Sequence, residues 1–196
     1  MKRSLPLAAC VALAAAFGLS ACSPFGALVG VGATVGTAAV DERGVSGTAT
    51  DVRIRTEINA AWVKRDAFGF AGVGLLIHEG QVVLTGTVAD AALHADAVSL
   101  ARGVSGVTEV YDHIRVDPGS GLGDYTEDSG IVGSMRKGIM LDKSITSLNY
   151  DIDASNHVLY LIGIAQDAGE KQRVLAHARA ISGVRQVVEY IRVKTP

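Results

Sequence analysis

The spacing of apolar positions after residue 50 changes from a helical period to a strand period. Ile54, Ile58 and Ala61 stand at i, i+4 and i+7, which predicts a helix with one apolar face. Residues 73–77 and 81–88 are then rich in β-branched and aliphatic side chains, with a Glu-Gly turn between them. That composition predicts two adjacent strands. The pattern therefore begins as helix, strand, strand.

A second helix and a third strand complete the pattern. Asp90 is expected to cap this helix, and Ala97, Ala101 and Val104 are expected to face inward. A Ser-Gly pair ends the helix, and residues 107–116 predict the last strand. The predicted order is helix, strand, strand, helix, strand.

The whole pattern occurs twice. Shifted by 77 positions, residues 51–116 align with residues 128–193 without a gap. Identical pairs include Leu84/Leu161, Gly86/Gly163, Asp90/Asp167, Ala101/Ala178, Ser105/Ser182, Gly106/Gly183, Ile114/Ile191 and Arg115/Arg192. In the second copy we expect the inward face of the first helix to carry Ile131, Met135 and Gly138. The strands are expected at 150–154, 158–165 and 184–193. Asp167 is expected to cap the second helix, whose inward residues are Val174, Ala178 and Ile181. We predict an α+β fold of two tandem small αββαβ domains, each a three-stranded sheet packed with two helices.

The N-terminal segment is typical of an export signal. A basic start precedes an apolar run at 7–17, which is too short to cross a bilayer. It ends in Leu-Ser-Ala-Cys at 19–22, which resembles a bacterial lipobox, with Cys22 as the thiol that receives the lipid. The alternative is a plain signal peptide with Cys22 incidental. Ser23 resembles the signal for onward transport to the outer membrane, and such a lipid anchors the chain without spanning the bilayer.

These features divide the chain into five segments: a lipoprotein signal peptide at 1–21, a lipidated Gly/Ala-rich tether at 22–50, domain one at 51–117, a Gly-rich acidic linker at 118–127 and domain two at 128–194.

Composition excludes several classes of protein. The 196 residues include 18 Lys and Arg against 20 Asp and Glu, a net charge of −2, which argues against nucleic-acid binding. The two cysteines, Cys10 and Cys22, cannot form a disulfide framework or a zinc site, and we expect no cofactor. Domain one has 6 basic and 8 acidic residues and domain two has 8 basic and 7 acidic residues. Domain two is therefore the part expected to meet an anionic surface.

A mixed apolar and basic ridge follows the first helix of domain two. Val132, Arg136 and Met140 stand at i, i+4 and i+8, with Lys137 and Lys143 beside them. Such a ridge can insert apolar side chains among lipid head groups while its charges meet phosphates. We predict these five residues as the phospholipid-binding site. The alternative is an ordinary solvated helix face with Met140 in the core.

No group of residues indicates catalysis or a metal site. The five histidines have no metal-ligand spacing, and we expect all of them at the surface: His78, His94, His113, His157 and His177. Asp151 and Asp153 alternate on a strand that is expected to be a solvent edge. Trp62 follows the apolar face of the first helix and is expected in the core. We predict that the chain is not an enzyme.

The repeated unit, with its Ser-Gly-Val turn and final Ile-Arg-Val strand, resembles the BON domain. Two such units behind a lipobox resemble the dual BON-domain outer-membrane lipoproteins of the DolP type. The resemblance implies a periplasmic protein tethered to the outer membrane through Cys22, which binds an anionic phospholipid such as phosphatidylglycerol and supports envelope integrity and cell division. Gly130 departs from that family, where an aromatic often opens the helix, and Ser134 stands where a basic residue would strengthen binding.

Two other functions remain open. One is a protein-interaction adaptor for outer-membrane protein assembly or for peptidoglycan remodelling at the division site. The other is a soluble periplasmic osmotic-stress protein of the same fold.

Overall fold

The computed structural model describes residues 44–119 and 123–195, and both repeats fold as αββαβ units. Domain one consists of α1 Gly44–Asp66, β1 Val73–His78, β2 Gln81–Val88, α2 Ala91–Arg102, β3 Glu109–Asp112 and β4 Arg115–Val116. Domain two consists of α3 Gly123–Leu141, a short 3-10 helix Ser147–Asn149, β5 Tyr150–Ser155, β6 Val158–Ala165, α4 Ala168–Ala180 and β7 Gln186–Val193.

Each domain has one mixed sheet with its second strand in the middle. In domain one, β2 pairs antiparallel with β1 and parallel with β3 and β4. In domain two, β6 pairs antiparallel with β5 and parallel with β7. The α+β fold predicted from the repeat is confirmed.

The predicted elements differ from the observed ones mainly at their ends. The single strand expected at 107–116 is divided, because the Asp112 carboxylate accepts the Ile114 amide at 3.0 Å while the His113 amide bonds to Leu84 O at 2.9 Å. The first helices also begin earlier than expected, at Gly44 and Gly123. Parts of the predicted tether and linker are therefore helical.

The first helix of each domain packs on one face of its sheet. Ile54, Ile58 and Trp62 are buried in domain one, as Ile131, Met135 and Ile139 are in domain two. The indole of Trp62 donates to Ala97 O at 3.3 Å, which confirms its place in the core. Asp90 and Asp167 cap α2 and α4 through side-chain bonds to backbone amides, as predicted. Ala61, Gly138, Val104 and Ile181, expected to face inward, are only partly buried.

The other faces of the two sheets pack against each other. Leu76 and Val83 of domain one join Tyr160 and Ile162 of domain two in one apolar cluster. Each sheet thus has a helix layer on its outer face and the partner sheet on its inner face. This arrangement explains why β1 and β2 are buried on both sides.

The aromatic contacts between the sheets define how the domains are related. The rings of Tyr111 and Tyr190 stack with centroids 3.9 Å apart. His113 Nε2 and the Tyr190 hydroxyl are hydrogen-bonded at 2.7 Å, and these two residues are separated by the 77-residue offset of the repeat. An approximate two-fold axis that exchanges the domains therefore passes between them.

Candidate functional site

Three exposed apolar side chains of domain two belong to the end of α3 and the short 3-10 helix that follows it. Met140 is 68% exposed, Leu141 is 67% exposed and Leu148 is 46% exposed. Lys137 precedes Met140 by three positions on the helix, and Lys143 follows in the connection to β5. We call these five residues the α3 tip.

The structure divides the predicted ridge into two parts. Val132 is partly buried and packs against the core of domain two. The Arg136 guanidinium is exposed but reaches back to Ile152 O on β5 at 3.4 Å. Met140 lies outside the core, so the alternative that buried it is wrong. Of the five predicted residues, Lys137, Met140 and Lys143 therefore share the exposed tip.

Sequence reasoning missed Leu141 and Leu148, which complete this tip. The signal for Leu141 was its position four residues after Lys137, which places both on one helix face. Leu148 lies in the short 3-10 helix, for which no periodic signal exists. The adjacent Ile145 is buried and fixes this connection against the domain core.

The two lysines of the tip are available for an external ligand. Neither Lys137 nor Lys143 has a hydrogen-bond or ion-pair partner within residues 44–119 and 123–195, and both are exposed. The surface thus offers two ammonium groups beside three exposed apolar side chains.

The α3 tip lies at the same end of the molecule as the N-terminal end of α1. The Asp51 carboxylate of α1 accepts the Glu79 and Gly80 amides at 2.9 and 3.0 Å, which places this end of α1 beside the β1–β2 turn. The Glu79 carboxylate in turn pairs with Arg192 of β7.

The strand register of domain two completes this link. Arg192 is aligned with Ile164, whose neighbour Gly163 is aligned with Tyr150, the first residue of β5 after the α3 tip. The seven residues of α1 before Asp51 extend about 10 Å further in that direction. The chain therefore enters domain one from the end that carries the α3 tip.

Domain one has different side chains at the corresponding place, and its tip points to the opposite end. Val63 and Lys64 stand at the repeat positions of Met140 and Leu141, and Val63 is exposed. Phe68, at the position of the buried Ile145, is 93% exposed. Because the two-fold relation reverses the strands, only one tip can face a given flat surface.

The histidine prediction requires correction. His78 is 1% exposed, because it ends a strand that is covered on both faces. The other four are partly buried and hydrogen-bonded: His94 to Asp112, His113 to Tyr190, His157 to Gly183 O and His177 to Asp142.

The expected solvent edge of β5 also differs from the structure. Asp153 lies between the two sheets and accepts a hydrogen bond from the Thr85 hydroxyl of domain one. Burial raises the pKa of Asp153, and the Thr85 hydrogen bond partly opposes this rise. On the same interface, burial lowers the pKa of His113, against the opposing charge of Asp112. Both groups thus connect the domains rather than forming an acid–base pair.

The predicted signal peptide at 1–21, the predicted lipidation of Cys22 and residues 22–43 of the predicted tether lie outside the described residues. Within residues 44–119 and 123–195, no group of three or more His, Cys, Asp and Glu side chains is placed to hold a metal ion. No helix in this part of the chain is long and apolar enough to cross a bilayer.

The chain is similar in sequence to several known bacterial proteins. The chain is 34% identical over 126 residues to "Uncharacterized protein in gshII 5'region" of Anaplasma centrale, covering 64% of this chain and 83% of the relative. It is 25% identical over 146 residues to "Osmotically-inducible protein Y" of Escherichia coli, covering 74% and 73%. It is 25% identical over 120 residues to "Outer membrane lipoprotein DolP" of Haemophilus influenzae, covering 61% and 62%.

The family model described as "BON domain" matches residues 50–118 and 128–195, which correspond to the two αββαβ units. These matches cover well over half of the chain and agree with the internal repeat. The protein belongs to the BON-domain family and carries two BON domains in tandem.

Proposed function

We propose that this chain is a lipid-anchored periplasmic protein that binds anionic phospholipid through the α3 tip and supports outer-membrane integrity. The lipobox at 19–22 and the relatives named as an outer-membrane lipoprotein and an osmotically inducible protein support an envelope location. The proposal gives the lipid on Cys22 the role of holding the protein at the membrane and the tip the role of contacting it.

The observation that carries the proposal is the composition and position of the α3 tip. Met140, Leu141 and Leu148 are exposed apolar side chains at an end that also presents two lysines without partners in the described part of the chain. Apolar side chains gain free energy on leaving water for the interface. Each lysine near an anionic surface contributes about 1 kcal/mol.

The orientation of the molecule supports the same surface. The N-terminal end of α1 and the α3 tip lie at one end, so an anchor that precedes α1 would bring the tip toward the bilayer. The net charges of the domains, +1 for domain two and −2 for domain one, also favour domain two as the part that meets an anionic surface.

Vesicle co-sedimentation tests lipid binding directly. The chain 22–196 with Cys22→Ser, which lacks the lipid, is mixed with phosphatidylglycerol-containing or neutral phosphatidylcholine vesicles at low and high salt. We expect binding to the anionic vesicles that weakens with salt, because screening shortens the reach of the lysine charges.

Charge reversal at the tip tests its location. Lys137→Glu/Lys143→Glu should weaken binding by at least about 2 kcal/mol, or roughly thirtyfold. Lys64→Glu, at the repeat position of Leu141, is the control for each single reversal, Lys137→Glu or Lys143→Glu, and should leave binding unchanged. Equal loss in the control and the tip variant, or no binding to either vesicle, would contradict the proposed site.

The anchor needs a separate test. Metabolic labelling with a fatty-acid probe should label the wild-type protein and not Cys22→Ser. An unlabelled wild type would favour the soluble osmotic-stress alternative, and a labelled Cys22→Ser variant would contradict lipidation at Cys22.

A further inference from the structure

The first helix of domain one carries an arginine whose side chain lies against the turn after α2 of the same domain. The Arg53 Nη2 donates to Ser105 O at 2.7 Å, and its Nη1 pairs with Glu57 at 2.6 Å. The guanidinium lies against Gly106, in the turn after α2. The guanidinium thus joins α1 to this turn through the Ser105 carbonyl, while its second contact is the Glu57 carboxylate of the same helix.

Domain two has the same turn without the arginine. Gly130 and Ser134 stand at the repeat positions of Arg53 and Glu57, and Ser182 and Gly183 stand at those of Ser105 and Gly106. The backbone of the turn has the same conformation at this glycine in both domains, since Gly106 and Gly183 both have a φ of 90°.

The missing side chains leave an open depression of about 330 Å³. It is lined by Glu127, Gly130, Ile131, Ser134, His157, Ser182 and Gly183. Apart from Gly130 itself, its two chain neighbours and the backbone of its own helix, no atom lies within 4 Å of where a Cβ on Gly130 would stand. The space that Arg53 takes in domain one is therefore accessible from outside in domain two.

The lining of the depression presents acceptors for a cation. The Glu127 side chain is 70% exposed, with its carboxylate 3.4 Å from His157 Nε2. His157 Nδ1 bonds to Gly183 O at 3.1 Å, which leaves the neighbouring Ser182 carbonyl without a hydrogen bond among the described residues. A carbonyl and a carboxylate are the same two kinds of acceptor that hold Arg53, and the fork of a guanidinium suits this combination.

We infer that this depression binds an arginine side chain of a partner protein, in the place that Arg53 occupies in domain one. The site is separate from the lipid surface, because Gly130 and Leu141 are about 16 Å apart along α3. It also lies toward the end of α3 opposite the α3 tip. The inference does not depend on lipid binding.

Nuclear magnetic resonance titration tests the site. The ¹⁵N-labelled chain 22–196 with Cys22→Ser is titrated with acetyl-Ala-Arg-Ala-amide, and with the citrulline peptide, which has the same shape without the charge. We expect saturable shifts of the Gly130, Ser134, His157 and Gly183 amides with the arginine peptide at up to about 10 mM, since a single side chain binds weakly. The citrulline peptide should give no saturable shift.

Two variants determine whether the shifts arise in this depression. Gly130→Arg should remove them by filling the space from within, and Glu127→Gln should weaken binding at least fivefold while leaving the fold intact. In the converse variant, Arg53→Ala should open the corresponding depression, so that the peptide also shifts Gly106. The inference is overturned if the wild type shows no saturable shift, if citrulline binds equally well, or if Gly130→Arg binds as the wild type does.

Discussion

The two domains of this protein build their interiors from largely equivalent positions and present different side chains on the outward faces of their first helices. Ile54 and Ile131, Leu84 and Leu161, and the Asp90 and Asp167 caps occupy equivalent buried or capping positions. On the outward side of the first helix and at its end, Gly130 stands at the position of Arg53 and Leu141 at that of Lys64. The two copies thus share a fold, and the exposed features for which we propose ligands belong to domain two.

The interface between the sheets shows a second difference. Leu76 and Ile162 belong to the apolar cluster on one side of the approximate two-fold axis. Their repeat equivalents, Asp153 and Thr85, form a hydrogen bond on the other side. One half of the interface is thus apolar and the other polar, which favours one packing of the two sheets. Any other packing would bury the Asp153 carboxylate without the Thr85 hydroxyl as its partner.

The largest effect should come from the shared interior. Leu84→Ala and Leu161→Ala each remove a fully buried side chain from an equivalent strand position. We expect each to lower the free energy of unfolding by about 3 kcal/mol, measured by denaturant titration. Met140→Ala, at an exposed site, is the control and should change it by less than about 0.5 kcal/mol. A loss that differs by more than twofold between the two leucine variants would show that the interiors are not equivalent.

The next effect concerns the contact between the domains. Tyr190→Ala removes both the stack on Tyr111 and the hydrogen bond to His113, and we expect a loss of about 2 kcal/mol. Tyr190→Phe keeps the ring and should cost about 1 kcal/mol. Thermal unfolding and small-angle scattering report the outcome. If Tyr190→Ala leaves both unchanged, the aromatic contact does not hold the domains together.

The fold was predictable from the sequence because the repeat doubles every signal. Because the unit occurs twice, each element is predicted from two separate stretches of sequence. Asp90 and Asp167 indicate the same helix start in both copies. The packing of the two sheets was missed. Its signal was the unbroken apolar run of β6, since a strand with one solvated face alternates polar and apolar residues.

The candidate sites were only partly predictable. Lys137, Met140 and Lys143 lie on the exposed tip, but helical periodicity alone could not separate them from Val132, which the domain core covers. The depression beside Gly130 could not be predicted from residue types, because it arises where Gly130 and Ser134 are smaller than Arg53 and Glu57 at the equivalent positions of domain one. It is recognised only when the position of Arg53 in the folded domain one is known.

A smaller effect should appear in the dependence of stability on pH. Burial lowers the pKa of His113 in the folded protein below its ordinary value of 6.5, so its contribution to stability is present above that pH and is lost as the pH falls through the folded pKa. Thermal unfolding should therefore show a loss below about pH 6.5 that His113→Gln reduces. An identical pH profile in the variant would contradict this role.

Asp153 should act in the opposite direction. Burial raises its folded pKa above 3.8, so its contribution is fully present below that pH and is lost as the pH rises through the folded pKa. Asp153→Asn keeps an acceptor for Thr85 without the charge, and we expect unchanged or higher stability at neutral pH. A clear loss at neutral pH would show that the ionised carboxylate stabilises the interface.

The smallest effect tests whether domain two can accept the arginine of domain one. Gly130→Ala and Gly130→Arg should both raise the free energy of unfolding by up to about 1 kcal/mol, because glycine is unfavourable within a helix. Gly130→Arg should add about 0.5 kcal/mol beyond the alanine variant if its guanidinium reaches Ser182 O as Arg53 reaches Ser105 O. Arg53→Ala should lose a similar amount, measured in the same denaturant titrations. Equal stability of the two Gly130 variants, together with the loss in Arg53→Ala, would mean that the turn of domain two no longer accepts a cation.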